Sequence, residues 1–225
     1  MRSEKNQKLL ITLCICFLLS VSSGTFAGVS DHPLSDVNVT QDKAALKRGA
    51  MIYYNSCRMC HSMKYIRYQN LAEIGFSDSE INGLRGDRLK TETLTSTSSD
   101  ENLTHLYGLI PPDLSVMAKA RKKGARYIYT LMTSYYEESK NVYENKLYPG
   151  IKMPDVFSYS VALSAEEKED IENRALDVTE FLVWSSDPKA HERKSLGKYV
   201  IAYFILLSVM LYFVMKRVWR RLDKV

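Results

Sequence analysis

Cysteine and histidine are both scarce in this 225-residue chain, four of each, and the scarcity excludes most of what those residues usually build. Cys14 and Cys16 fall in an N-terminal apolar run, which leaves Cys57 and Cys60 as the pair available to the body of the chain. One pair is too few for a disulfide framework, though it could close a single disulfide in an oxidising compartment. A structural zinc site needs four ligands, and His32, His105 and His191 are too scattered to complete one. No internal repeat is evident, and strand-type alternation is rare, which argues against a β-rich fold. A basic excess is missing as well. Residues 28–195 carry 22 basic and 24 acidic side chains, a net charge near −2, and the whole-chain value of +5 comes from the two ends. No nucleic-acid partner is expected from such a balance.

The two ends carry targeting and anchoring patterns. Arg2, Lys5 and Lys8 precede the apolar run Leu9–Val21, and Thr25-Phe26-Ala27 resembles a small-residue cleavage site. That order reads as a signal peptide over residues 1–27 rather than a structural helix; the alternative is an uncleaved N-terminal anchor. Near the other end, Tyr199–Met215 holds no charge, and Lys216, Arg217, Arg220 and Arg221 follow at once. The pattern predicts a transmembrane anchor over residues 196–216 and a basic cytoplasmic tail over 217–225, oriented by the positive-inside rule. A membrane-proximal soluble helix is the alternative. Residues 28–195 then form one exported domain on the periplasmic side of the inner membrane, and a lipid bilayer is the first expected partner.

Residues 57–61 read Cys-Arg-Met-Cys-His. This is the c-type haem attachment signature. Two thiols separated by two residues can each form a thioether with a vinyl group of one porphyrin, and the following histidine is held at the iron as proximal ligand. Three other readings compete. A thioredoxin-like redox pair needs a βαβ setting, whereas the stretch Asp42–Tyr54 is helical in pattern. Zinc lacks ligands, and a five-residue motif can occur by chance. The expected cofactor is one haem c, bound covalently through Cys57 and Cys60.

A six-coordinate electron carrier needs a second axial ligand, and methionine opposite histidine gives c cytochromes their raised potentials. Met51, Met59 and Met63 lie too close to the motif in sequence to cross to the opposite face easily. Met117 and Met132 read as packing residues in helical stretches. Met153 sits in Tyr148-Pro149-Gly150-Ile151-Lys152-Met153-Pro154, where prolines and glycine exclude regular helix. A loop methionine between prolines can be presented rigidly to iron; a plain turn methionine is the competing reading.

With these residues in view the chain resembles the cytochrome c1 family of the cytochrome bc1 complex. The resemblance runs through Tyr65-Ile66-Arg67-Tyr68-Gln69-Asn70-Leu71, the block Pro111-Pro112-Asp113-Leu114-Ser115 with Ala120-Arg121 after it, and Pro149-Gly150 followed by Met153-Pro154. Phe181-Leu182-Val183-Trp184, then Asp187-Pro188, His191 and Arg193, lead into the single C-terminal span as in that family. Lys152 and Asp155 around Met153-Pro154 depart from the family pattern. The resemblance implies His61 and Met153 as axial iron ligands. It also implies Arg121 as partner of a haem propionate and Pro111 and Pro112 as wall of the haem pocket. From the residues alone Arg121 could equally be a surface charge in the basic run Lys119–Lys123. The implied function is transfer of single electrons from a Rieske iron–sulfur protein to cytochrome c, beside cytochrome b, in a quinol–cytochrome c oxidoreductase. As a subunit of that complex the chain would be a carrier with no independent catalysis. The alternative is a tethered cytochrome c donating to a terminal oxidase or another redox enzyme.

The expected fold is mainly α, a class I cytochrome c-like domain with long loops plus one C-terminal transmembrane helix. Helices are predicted near 42–54, 62–74, 113–123, 126–138 and 165–184, with the Thr91–Ser99 tract as loop and residues 185–195 as a polar link to the span. Ser164 and Glu167 fit a capping box. Ile171, Ala175, Val178 and Leu182 form a stripe able to pack on the haem-bearing helix. The acidic run Glu166–Glu172 is either a docking face for a basic cytochrome c or a solvated first turn favoured by the helix dipole.

Overall fold

A computed structural model describes residues 32–222; the predicted signal segment, with Cys14 and Cys16, lies outside the described residues. The scaffold is a pair of crossing helices, α1 (Lys43–Ile52) and α6 (Ala165–Ser186). Asp42 starts α1 by accepting from the Ala44 and Ala45 amides at 3.0 and 3.2 Å, the ordinary N-cap arrangement. The predicted capping box opens α6: Ser164 Oγ accepts from Glu167 N at 3.0 Å, and Glu167 Oε2 accepts from Ser164 N at 3.2 Å. Ile171, Ala175, Val178 and Leu182 are all buried, as their spacing predicts. A large apolar side chain taken from water contributes roughly 1.5–3 kcal/mol.

The crossing is close because of one residue. A Cβ on Gly49 would lie 2.0 Å from the Asp177 carbonyl oxygen and 2.9 Å from Phe181 Cβ, so only glycine lets the two backbones meet there. Arg48 bridges the same crossing with a two-pronged contact to the Asp177 carboxylate, both hydrogen bonds at 2.7 Å. Glu180, buried on α6, accepts from the Thr40 and Gln41 amides at 3.1 and 3.0 Å and so fixes the chain as it enters α1. Tyr53, Phe181 and Trp184 continue the core as a run of rings with centroids 5.8 and 5.7 Å apart.

Between these helices lie β1 (Met63–Arg67), α2 (Asp78–Arg85), β2 (Thr93–Leu94), α3 (Asp100–Tyr107), α4 (Met117–Ala120), α5 (Gly124–Met132), β3 (Tyr135–Ser139) and β4 (Val142–Asn145). The fold is mainly helical, as expected, with three local corrections. The predicted helix at 62–74 is strand β1 followed by a 3-10 turn over Tyr68–Ile74; β1 pairs antiparallel with β2, Met63 opposite Leu94, and the pairing overrides a weak helical pattern. The predicted helix at 126–138 stops at Met132, and Tyr135 begins a hairpin with β4, turned at Lys140-Asn141 with Asn141 in the left-handed region. The predicted helix at 113–123 shrinks to α4. In addition α2 and α3 form on either side of the Thr91–Ser99 tract, where no helix is predicted, started by Ser77 and Ser99, whose hydroxyls accept from Glu80 N and Asn102 N.

The last element, α7 (Ala190–Leu222), is one helix long and apolar enough to cross a bilayer, with a mean hydropathy of 2.0 in its apolar stretch and none of that stretch buried. The expected polar link at 185–195 is mostly helix, because α6 runs to Ser186 and α7 begins four residues later. Asp187 holds the junction by accepting from Lys119 Nζ at 2.7 Å and from the Arg193 guanidinium.

Candidate haem site

The Cys57–His61 turn is the direct continuation of α1. After Ile52 the helix widens into a π-helical turn over Tyr53–Cys57, a local form often met at functional sites. The turn closes with Arg58 N donating to Tyr53 O at 2.8 Å, and with the Cys60 and His61 amides both donating to Cys57 O, at 3.1 and 2.9 Å. Cys57 and Cys60 are free thiols. Burial pushes the Cys57 thiol up to about 12, with Cys60 adding to the shift. Tyr107, at the end of α3, lies against the Cys60 thiol, which raises the tyrosine above its ordinary value.

His61 is oriented from behind. Its Nδ1 is 2.7 Å from the Pro112 carbonyl oxygen. A carbonyl can only accept, so Nδ1 carries the proton and Nε2 keeps its lone pair, as in metal-binding histidines held by a backbone oxygen. Burial lowers the imidazole below its ordinary value, against the opposing pull of the Pro112 bond, which keeps the neutral, ligating form. The 111–115 segment runs alongside the chain that leaves the turn. Leu114 N donates to Ser62 O at 2.9 Å, Lys64 N to Asp113 Oδ2 at 2.8 Å, and Tyr65 N to Ser115 Oγ at 3.1 Å. Tyr53 completes the frame from the core, its hydroxyl donating to His61 O at 2.9 Å and to Leu94 O at 3.2 Å.

The structure thus gathers Cys57, Cys60, His61 and Pro112 in one place, with Pro111 adjoining. Met153 is carried by a separate loop, and that loop is pinned at several points. Asn145, almost fully buried, donates to Leu131 O at 2.7 Å and accepts from the Leu147 and Tyr148 amides at 3.0 and 3.1 Å. Gly150, with φ +76°, donates its amide to Glu144 Oε2 at 2.9 Å. Tyr135 donates to Met153 O at 2.9 Å, and Asp155 Oδ2 accepts from Ser160 N at 2.8 Å and Ser160 Oγ at 2.7 Å. Arg121 is exposed at the end of α4, its guanidinium 5.6 Å from the Tyr127 ring centre. Tyr127 in turn neighbours Tyr148 and Tyr135, so Arg121 and the Met153 loop share one tyrosine-lined side of the domain.

Asn145, Tyr53 and Tyr135 are not marked by the sequence, and Asp113 and Ser115 enter there only within the block that carries the family resemblance. Only Asp113 carried a signal, since an Asp two residues before Ser115 can cap its own turn, and here Asp113 Oδ1 accepts from Ser115 N at 2.9 Å.

The turn suits a haem, with two thiols and a neutral imidazole whose outer nitrogen is free within five residues, while Met153 sits on a separate loop. Fold and site together define a haem-carrying cytochrome of the c type.

Comparison with known proteins narrows the class. Residues 33–222 match the Cytochrome C1 family, and the chain belongs to that family of electron-transport cytochromes. Cytochrome c1 of Allochromatium vinosum is 27% identical, covering 91% of this chain and 96% of its own length. A Nitrosomonas europaea protein named ammonia monooxygenase gamma subunit is 24% identical over 94% of this chain and 96% of its own. A Bradyrhizobium diazoefficiens protein named cytochrome b/c1 is 28% identical over 79% of this chain, which corresponds to 33% of that protein.

Proposed function

We propose that this chain is the membrane-anchored electron carrier of a bc1-type quinol–cytochrome c oxidoreductase, taking single electrons from a Rieske iron–sulfur protein and passing them to cytochrome c. The observation that carries this reading is the 57–61 turn, which brings both thiols beside His61 and ties His61 Nδ1 to Pro112 O so that Nε2 is left to ligate. Haem, once bound, supplies a one-electron couple at its iron. The chain supplies placement. Cys57 and Cys60 would hold the group, His61 and Met153 would ligate its iron, Pro111 and Pro112 would wall the pocket, and Arg121 would pair with a propionate through its planar fork. No side chain is required to move a proton in the transfer, so rigidity is what the scaffold contributes.

Residues 28–195 form the exported domain in this reading, after removal of 1–27, and α7 anchors it with residues 217–225 on the cytoplasmic side. Cytochrome b as a neighbour is supported by the relative named cytochrome b/c1, in which the matching segment is one part of a longer chain. The relative named as an ammonia monooxygenase subunit supports a second reading, a tethered carrier serving another redox enzyme outside a bc1 complex.

Purification of the full chain from its membranes in mild detergent, with a pyridine haemochrome spectrum, separates these. Haem c with stoichiometric haem b, in a preparation that oxidises quinol, is the expected result. Haem c alone under the same conditions selects the second reading, and absence of haem removes both.

A further inference from the structure

Arg58 is the first of the two residues between the cysteines, and its position is unusual for an arginine. It is 4% exposed. Its Nε donates to Thr95 O at 3.0 Å, and its guanidinium lies 4.7 Å from the Tyr54 ring centre and 5.8 Å from that of Tyr68. Among the described residues it forms no ion pair with a carboxylate. The Tyr68 hydroxyl accepts from Arg88 Nη1 at 3.1 Å, which brings a second cation rather than a carboxylate to that tyrosine. A positive charge is therefore held next to the turn, almost buried, with no carboxylate at ion-pair distance.

Tying the turn to the 93–97 segment does not need that charge. The link is already made by main chain, Thr97 N donating to Arg58 O at 3.1 Å and Ser98 N to Met59 O at 3.3 Å. A neutral donor would serve Thr95 O equally well. Enclosing a charge without a partner is unfavourable, and ring faces recover only part of the lost hydration. What an enclosed cation does that a neutral side chain cannot is act on another charge nearby through a poorly screening medium.

We propose that Arg58 is a fixed cation that favours the reduced state of haem attached at Cys57 and Cys60, raising its reduction potential. The proposal rests on the haem reading above. Reduction adds one electron at the iron and removes one unit of positive charge there, so a cation held beside the attachment turn stabilises the reduced form relative to the oxidised one. Arg58 is held by groups on both sides, with Tyr54 before the turn and Tyr68 and Thr95 beyond it, so it cannot swing into solvent when the charge changes.

The test is an equilibrium redox titration of the full chain in its native membrane complex, followed by haem c absorbance, for the wild type and for Arg58→Met, Arg58→Gln and Arg58→Lys. The neutral variants are expected to keep covalent haem and an unchanged reduced spectrum. At a fixed ambient potential their ratio of reduced to oxidised haem should fall roughly three- to tenfold, a tenfold fall being 59 mV for one electron. Arg58→Lys, which keeps the charge and loses the planar fork, should stay within about twofold of wild type. An unchanged ratio in the neutral variants overturns the proposal, as does a lysine variant shifted as far as they are. Failure of all three variants to retain haem also counts against it, since the arginine would then be needed for assembly rather than for its charge. Absence of haem from the wild type is a different failure, that of the haem reading itself.

Discussion

The turn at 57–61 grows out of a helix, and the backbone hydrogen bonds that close it run only from Arg58 to Tyr53 and from Cys60 and His61 to Cys57. The loop at 148–154 has no helix to extend; it is hung from Asn145, Glu144, Tyr135 and the Asp155–Ser160 pair, groups drawn from a hairpin and the segment after it. The first is thus a local structure that other parts of the chain lean on, and the second is a passive strap whose shape is set from outside. Such a division leaves the backbone of the 57–61 turn set by its own neighbours, while the shape of the 148–154 loop depends on the hairpin.

Changes to each region test the division. The largest effect is expected from replacing Cys57 and Cys60 together by alanine: haem-stained protein should vanish from denaturing gels, and a retained band would show that attachment lies elsewhere. Met153→Leu comes next. The haem should stay covalently attached while carbon monoxide gains access to the iron. The potential should also fall by on the order of a tenth of a volt, within the roughly 0.8 V that axial ligands span. An unaltered spectrum and potential would remove Met153 as ligand. Gly49→Ala attacks the helix crossing beneath the 57–61 turn, where the new Cβ meets the Asp177 carbonyl at 2.0 Å. Denaturant titration should show a loss of about 3 kcal/mol, and a cost below about 1 kcal/mol would mean that the crossing yields easily.

Tyr135→Phe removes only the hydroxyl that donates to Met153 O and should cost about 1 kcal/mol. If the strap reading is right, this variant admits carbon monoxide slowly while covalent haem stays complete. The smallest effect is in acid. Lys47 holds Glu80 down at about 2, with Ser77 assisting, against an ordinary 4.5. A depressed carboxylate stabilises the fold above its unfolded value, so this tie between α1 and α2 should weaken as pH drops from about 4.5 through 2. Glu80→Gln should flatten the melting temperature across that window; an unchanged slope would show that the pair contributes nothing there.

The local region is also the legible one. Cys57, Cys60 and His61 announce themselves by spacing, and the α6 stripe and its Ser164 cap follow from a period of 3.6 and a capping box, each readable within one element. The strand at 63–67 was not legible as such, because its partner Leu94 lies about thirty residues away and pairing, rather than propensity, decides its form. The hairpin at 135–145 was hidden in the same way behind a helical-looking start. Pro112 was placed in the pocket wall by resemblance, but that its carbonyl orients His61 depends on a backbone atom no side-chain pattern reports. Arg58 shows the opposite case. It stands inside the most recognisable motif of the chain, and nothing in the spacing of that motif marks it as buried with no carboxylate at ion-pair distance.

The junction at Asp187 has one further consequence. With α6 ending at Ser186, α7 starting at Ala190, and Lys119 and Arg193 both latched to Asp187, the domain and its long helix are joined without slack. A helix of 33 residues is about 50 Å of rod at 1.5 Å per residue. Planted in a bilayer, such a rod acts as a mast rather than a leash. It gives the domain almost no volume to search, so encounters with electron donors and acceptors depend on how far those proteins travel.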